Sequence, residues 1–120
     1  MGKRVLLIED FPVIQKLYGD ALKRHGFLVD VAGDGETALA KVNQNTYDFV
    51  LVDLLIPHIN GIEFLERFSK RPKETKVIVL SDFNAPKTVK RAHELDISGY
   101  LIKAETTPSE LIKKLNSLND

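Results

Sequence analysis

The sequence contains no cysteine among its 120 residues, which excludes several kinds of site. Without a thiol there is no disulfide scaffold, no thiolate metal site and no cysteine nucleophile. A net charge is absent too, because 17 Lys and Arg residues face 17 Asp and Glu residues. Since a dedicated nucleic-acid-binding domain is normally strongly basic, we expect no direct contact with nucleic acid.

Long apolar runs are also lacking. No run in the sequence approaches the ~20 residues that a membrane-spanning helix needs. The N-terminus has neither the apolar stretch nor the small-residue cleavage site that marks a signal peptide. We therefore expect a soluble, cytoplasmic protein with no membrane partner. Its length leads us to assign residues 1–120 to a single domain.

Short apolar runs, by contrast, recur along the whole chain. Such runs, rich in β-branched residues and without strict alternation, are typical of strands buried on both faces of a parallel sheet. The second run partly alternates between apolar and polar residues, as an edge strand does. The five runs are residues 5–8, 27–29, 49–52, 77–80 and 100–102.

Segments with helical periodicity separate these runs, and several carry start or stop signals. Pro12 suits the first turn of the first helix, and Gly26 suits its end. Asp34 is placed to cap the second helix, Pro72 to stop the third, and residues 107–110 form a capping box that opens the fifth. The alternation predicts an α/β fold, a doubly wound five-stranded parallel sheet with five helices.

Polar side chains follow four of the apolar runs, at the carboxyl ends of strands where ligands collect in an open parallel sheet. Three carboxylates crowded there repel one another and call for a cation, and an all-oxygen cluster suits Mg²⁺. Any one of these acids alone is as well explained by a helix cap or a solvated turn. The side chains are those of Glu9, Asp10, Asp53, Ser81 and Lys103.

A lysine and a hydroxyl beside the acids extend this interpretation. Lys103 is expected to reach across the cluster and pair with Asp53, and Ser81 offers a hydroxyl at the same rim. A metal, a lysine and a hydroxyl around one carboxylate form a clamp for a phosphoryl group. Aspartate can itself be the nucleophile, which gives an aspartyl phosphate.

Four motifs together give the sequence its resemblance to a known family. It resembles the receiver domain of two-component response regulators, in particular the chemotaxis-type regulators, from Lys3 to Leu118. The resemblance implies a flavodoxin-like sheet with strand order 2-1-3-4-5. The motifs are residues 5–10, residues 53–61, Ser81 and residues 99–103.

The resemblance also implies roles for individual residues. Asp53 would be the phosphoacceptor, and Asp10 would bind Mg²⁺ directly. Glu9 would act on the metal through water, with Asp53 and the backbone carbonyl of Leu55 completing the protein ligands. The phosphoryl oxygens would be contacted by Lys103, Ser81 and the backbone N–H of Asp82.

A conformational switch and its partners are implied in the same way. Ser81 would move toward the phosphoryl group and Tyr100 would swing inward, remodelling the face made by the fourth helix, fifth strand and fifth helix. The donor would be a phosphohistidine on a sensor histidine kinase or a histidine phosphotransfer protein. The recipient of the signal would be a downstream target protein or output domain, and no separate substrate would be turned over.

Two positions depart from the family's pattern. Ala104 stands where a proline with a cis bond is common, and a cis Lys103–Ala104 bond costs about 3 kcal/mol, so this bond is either trans or strained. Asp82 follows Ser81 where a small residue is usual, and its carboxylate either crowds the site or points away.

Other functions stay open on the sequence. A degenerate receiver could act as a docking module that needs no phosphorylation. A phosphatase with an Asp nucleophile needs a general acid-base two residues after the nucleophile, where this sequence has Leu55. A flavin-binding domain needs a phosphate-cradling loop after the first strand, where residues 10–13 offer acid and proline instead.

Overall fold

The computed structural model describes residues 2–118, so residues 1, 119 and 120 of the predicted domain lie outside the described part. Within it, five strands form one sheet in the order β2-β1-β3-β4-β5. Every neighbouring pair is parallel, which confirms the predicted doubly wound α/β fold. The strands are β1 (Arg4–Ile8), β2 (Leu28–Ala32), β3 (Phe49–Val52), β4 (Lys76–Ser81) and β5 (Gly99–Ile102).

The helices between the strands begin at the signals that the sequence carries. Asp34 accepts a hydrogen bond from the N–H of Thr37 at 2.7 Å, and Thr107 and Glu110 form the predicted capping box. Gly26 has a φ of +89°, the left-handed conformation that ends a helix. The helices are α1 (Pro12–Arg24), α2 (Gly35–Gln44), α3 (Gly61–Arg67), α4 (Pro86–Glu94) and α5 (Pro108–Ser117).

The third helix ends earlier than Pro72 predicts. It stops at Arg67, and after the turn that follows, Arg71 lies within reach of three backbone carbonyls. The Arg71 guanidinium donates to the carbonyl of Phe68 at 3.2 Å, and to those of Leu95 and Asp96 at 2.9 and 2.7 Å. Arg71 thus ties the end of α3 to the end of α4, a contact for which the sequence gives no signal.

The sheet divides the apolar core into two layers. One layer lies under α2, α3 and α4 and includes Ile8, Val52 and Phe64. The other lies under α1 and α5 and includes Leu7 and Leu111. β3 is buried at all four positions, whereas β5, at the sheet edge, is half-buried throughout. Among the described helices, none combines the length and the apolar character that crossing a bilayer requires.

Candidate functional site

The carboxyl ends of four strands meet at one edge of the sheet and bring the predicted side chains together. In the register of the sheet, Ile8 pairs with Val52, and Val52 pairs with Val79. The residues that follow β1 and β3 therefore come close in space. One carboxylate oxygen from each of Glu9, Asp10 and Asp53 lies within 4.8 Å of the other two.

Lys103 bridges two of the three acids in this cluster. Its Nζ is 2.7 Å from Asp53 Oδ2, the predicted contact, and 2.6 Å from Glu9 Oε1, a contact that the sequence does not predict. The side chains are well shielded from water, with 15% of Lys103, 3% of Glu9 and 7% of Asp53 exposed. Asp10, by contrast, is exposed. One ammonium group therefore serves two buried carboxylates, and a third carboxylate lies open to solvent.

The other oxygen of Asp53 is held by neutral donors. Ser81 Oγ donates to Asp53 Oδ1 at 2.8 Å, and the N–H of Leu55 donates to the same oxygen at 3.1 Å. Together with the contact to Lys103, these bonds fix the orientation of the carboxylate. Asp53 is thus the side chain on which the lysine, the hydroxyl and a backbone N–H converge.

Burial and ion pairing act in opposite directions on the titration of this site. Burial raises the pKa of Glu9, and hydrogen bonds from Lys103 and from the N–H of Phe11 only partly oppose the rise. Burial alone would lower the pKa of Lys103, but the hydrogen bonds to Asp53 and Glu9 outweigh it and raise that pKa. Lys103 therefore stays charged and balances part of the buried acid.

Two residues that sequence reasoning missed support the site from α1. Gln15 Nε2 donates to the carbonyl of Glu9 at 2.6 Å, which holds the chain at the end of β1. Tyr18 is buried, and its hydroxyl donates at 2.8 Å to the carbonyl of Thr106, three residues after Lys103 in the chain. Both face the site from the inner side of an amphipathic helix, where a polar side chain gives no distinctive sequence pattern.

A glycine allows α3 to start close to Asp53 and Leu54, the residues that follow β3. A Cβ on Gly61 would lie 2.5 Å from Leu54 Cα and 2.8 Å from the carbonyl oxygen of Asp53. The N–H of Gly61 also donates to the carbonyl of Leu54 at 3.0 Å. The glycine in the sequence motif 53–61 therefore corresponds to a close backbone approach beside the site.

Comparison with known proteins decides the family. A family model described as the response regulator receiver domain matches residues 5–116. The chain belongs to the receiver-domain family. Receiver domains are signalling modules of two-component systems, so the predicted family and the predicted class of fold are both confirmed.

Relatives and solved structures agree with this assignment of the receiver domain. A gliding motility regulatory protein of Myxococcus xanthus is 33% identical over 117 residues, which are 96% of this chain but 15% of that protein. The chemotaxis protein CheY of Thermotoga maritima is 28% identical, with 99% of each chain covered. The structure of the chemotaxis response regulator CheY4 of Vibrio cholerae matches with a TM-score of 0.88 at 25% identity, covering 98% of this chain and 99% of that one. The receiver domain spans less than half the length of the first curated relatives.

The two predicted switch residues of this receiver domain, Ser81 and Tyr100, are linked through the backbone of Phe83. The N–H of Phe83 donates to Ser81 Oγ at 3.2 Å, and the hydroxyl of Tyr100 donates to the carbonyl of Phe83. Tyr100 is half-buried, and its ring lies 6.4 Å from the ring of His93 on α4. The loop after β4 thus connects Ser81, which touches Asp53, to the aromatic residue of β5.

The two departures from the family's pattern contact each other in this receiver domain. The N–H of Ala104 donates to Asp82 Oδ1 at 2.7 Å. No peptide bond in residues 2–118 is cis, so the Lys103–Ala104 bond is trans. A proline at position 104 would have no N–H to offer, whereas alanine has one, and Asp82 accepts it. Of the two orientations left open for Asp82, the structure shows its carboxylate engaged with the turn after β5.

Proposed function

We propose that this receiver domain acts as one phosphoacceptor domain in which Asp53 takes a phosphoryl group, with Mg²⁺, from a phosphohistidine of a sensor histidine kinase or a histidine phosphotransfer protein. The observation that carries the proposal is the set of donors around Asp53. Ser81, the N–H of Leu55 and Lys103 hold the two oxygens of this buried carboxylate at 2.7 to 3.1 Å.

The donor set of the site fits a hard divalent cation. The carboxylate oxygens of Glu9, Asp10 and Asp53 lie within 4.8 Å of one another, and neither His nor Cys is among them. Oxygen-only clusters of this kind suit Mg²⁺. When bound, Mg²⁺ would neutralise negative charge on the phosphoryl oxygens. Asp10 and Asp53 would bind it directly, Glu9 would act through water, and the Leu55 carbonyl would complete the protein ligands.

The chain's own residues supply the remaining chemistry. A carboxylate oxygen of Asp53 attacks phosphorus, the bond from phosphorus to the donor's imidazole nitrogen breaks, and the imidazole leaves with the electron pair. Lys103 and the hydroxyl of Ser81 then contact the phosphoryl oxygens, together with the backbone N–H of Asp82. Lys103 and Ser81 already contact Asp53 before the donor arrives, which lowers the cost of organising them during transfer.

The hydrogen bonds through Phe83 support a switching role for Ser81 and Tyr100. When Asp53 carries a phosphoryl group, the Ser81 hydroxyl turns from the carboxylate toward a phosphoryl oxygen. Because the N–H and carbonyl of Phe83 bind Ser81 and Tyr100, this movement is passed to the aromatic ring. Tyr100 then moves inward, and the face made by α4, β5 and α5 changes for a downstream protein or output domain.

Exposed apolar side chains around the site favour a protein as the phosphodonor. The fraction exposed is 58% for Phe11, 67% for Val13 and 60% for Leu55. These residues lie within three positions of Asp10 or Asp53 in the chain, so a docking protein would cover them while it presents its phosphohistidine. Leu55 also stands where a phosphatase with an Asp nucleophile needs an acid, so we propose no turnover of a separate substrate.

A mass measurement tests the proposed function. The protein is incubated with Mg²⁺ and a small phosphodonor, and the intact mass is compared before and after. We expect a gain of one phosphoryl group that Asp53→Ala abolishes and that Asp30→Asn, in the middle of the edge strand β2, retains. Absence of any gain, or a gain that persists in Asp53→Ala, would contradict the proposal and leave the phosphorylation-independent docking module as the better account.

A further inference from the structure

The turn that carries Lys103 is held from two sides by side chains of other elements. This short 3₁₀ turn, Lys103–Glu105, follows β5 directly. On one side, Asp82 Oδ1 accepts a hydrogen bond from the N–H of Ala104 at 2.7 Å. On the other side, the Tyr18 hydroxyl donates to the carbonyl of Thr106 at 2.8 Å and lies 3.4 Å from that of Lys103.

These two contacts act on a segment that the sheet alone holds weakly. The ladder between β4 and β5 ends at the pair Ser81 and Ile102, so Lys103 is the first residue beyond it. β5 is also an edge strand, half-buried at every position. Yet the ammonium group of Lys103 must reach Glu9 and Asp53 at 2.6 and 2.7 Å. The precision of that placement therefore depends on what fixes the turn.

We propose that Asp82 and Tyr18 are positioning residues for Lys103, holding the turn after β5 so that its ammonium group stays on Asp53 and Glu9. Asp82 also follows Ser81 in the chain, so its bond to Ala104 joins the loop that carries the hydroxyl to the turn that carries the lysine. The placement of Lys103 is independent of the proposed function, and only its effect on phosphoryl transfer rests on that function.

Two uncharged variants at position 82 separate the hydrogen bond from the negative charge. Asp82→Asn removes the charge but keeps a side-chain oxygen that can accept from the N–H of Ala104. Asp82→Ala removes both. A difference between these two variants therefore reports the side chain that accepts the hydrogen bond and not the negative charge. Tyr18→Phe removes the contact on the opposite side and leaves the aromatic ring in the core.

Chemical labelling of lysine tests the placement of Lys103 without any phosphodonor. The full chain is treated briefly with acetic anhydride, and the labelling of each lysine is measured by peptide mass spectrometry. We expect Lys103 to be labelled about tenfold faster in Asp82→Ala than in Asp82→Asn, and faster in Tyr18→Phe than in the unchanged protein. The exposed Lys16 and Lys87 serve as internal controls, with equal labelling in all four proteins.

Equal labelling of Lys103 in Asp82→Ala and Asp82→Asn would overturn the inference for Asp82. Unchanged labelling in Tyr18→Phe would overturn it for Tyr18. A second measurement, the rate of phosphorylation with Mg²⁺ and a small phosphodonor, is expected to be lower in Asp82→Ala than in Asp82→Asn. If the unchanged protein takes up no phosphoryl group while the labelling differences appear, the proposed function fails and the positioning role stands.

Discussion

The sheet carries a charged cluster at each end, and the two clusters differ in how much water reaches them. At the amino end, Arg4 lies 3.3 Å from Asp30, and the Tyr47 hydroxyl donates to the same carboxylate at 2.7 Å. The Arg4 guanidinium also lies over the Tyr47 ring, 5.1 Å from its centroid. The Arg4 and Asp30 side chains are 40% and 41% exposed, so water screens this pair.

At the carboxyl end the corresponding ion pair is nearly dry. Lys103 is 15% exposed, Glu9 3% and Asp53 7%, and Asp10 adds a third carboxylate within reach. At the amino end, the Asp30 carboxylate is screened by water and already binds a guanidinium and a hydroxyl, so it has little affinity left for a cation. A buried cluster with more acid than base keeps a demand for positive charge. Burial and charge excess together, rather than the presence of charges, distinguish the candidate site from a structural cluster.

The largest expected effect is on stability, from removal of the buried ammonium group. Lys103→Met leaves Glu9 and Asp53 buried without a cation, and breaking a buried pair in this way costs about 3 kcal/mol. We expect urea denaturation at pH 7 without Mg²⁺ to show a loss of that size. The loss should shrink on acidification, because burial raises the pKa of Glu9, which can then take up a proton.

The matched control for Lys103→Met lies at the amino end. Arg4→Met breaks an ion pair that is about 40% exposed, so we expect it to cost about 1 kcal/mol or less. Equal losses of unfolding free energy in the two variants would show that burial does not make the carboxyl-end pair more important for stability than the amino-end pair.

A second prediction concerns the stabilisation that bound Mg²⁺ gives to the carboxyl-end cluster. A ligand that binds only the folded state at ten times its dissociation constant adds about 1.4 kcal/mol to the free energy of unfolding. We expect thermal denaturation to show this gain with Mg²⁺, and Asp10→Asn to lose most of it. Asp30→Asn, in the amino-end cluster, should keep the gain in full. A gain that Asp10→Asn retains would place the bound cation elsewhere.

A third prediction concerns the loss of stability at alkaline pH that comes from Tyr47 in the amino-end cluster. Burial and the hydrogen bond to Asp30 raise the pKa of Tyr47 from 10.0 to about 12. A raised folded-state pKa means that the folded protein holds the proton more tightly, so this stabilisation is present below pH 10.0 and is lost as the pH rises toward 12. Tyr47→Phe should remove that part of the alkaline decline and cost about 1 kcal/mol at neutral pH. An unchanged alkaline slope in denaturant titrations would contradict it.

The smallest expected effect is at the exposed acid of the carboxyl-end cluster. Without Mg²⁺, Asp10→Asn removes a like charge beside Glu9 and Asp53, and within residues 2–118 the Asp10 side chain has no hydrogen bond to lose. We expect it to stabilise the protein by about 0.5 kcal/mol or less, because water screens an exposed carboxylate. If Asp10→Asn instead destabilises the protein in the same urea measurement, a favourable contact of Asp10 outweighs its repulsion by Glu9 and Asp53.

Much of the fold followed from local sequence signals. β3 has the predicted bounds of Phe49–Val52, and α5 starts at its capping box, because a buried strand and a helix cap each depend on residues close in the chain. The carboxyl-end position of Glu9, Asp53 and Lys103 also followed, since strand order and strand ends determine it.

The remaining features depend on residues that meet only in three dimensions. The end of α3 at Arg67 is followed by contacts of Arg71 with the end of α4, which no local signal marks. The bond between Asp82 and Ala104 pairs two residues that the sequence marks only as separate departures. The contact of Lys103 with Glu9 requires the side-chain rotamers, which no spacing rule contains. Sequence patterns thus place elements and their ends, whereas the partners of long side chains come from packing.

The half-buried edge strand β5 has a practical consequence for the placement of a reporter group that detects conformational change. Residues in β3 cannot change shape without disturbing both core layers, because all four are buried. β5 borders the same site but has a partner strand on one side only and is half-buried at every position, so a reporter group at its open edge disturbs packing less than one in β3 would. A fluorophore at that edge would lie beside the carboxyl-end cluster, and a change in the conformation of β5 would alter its emission.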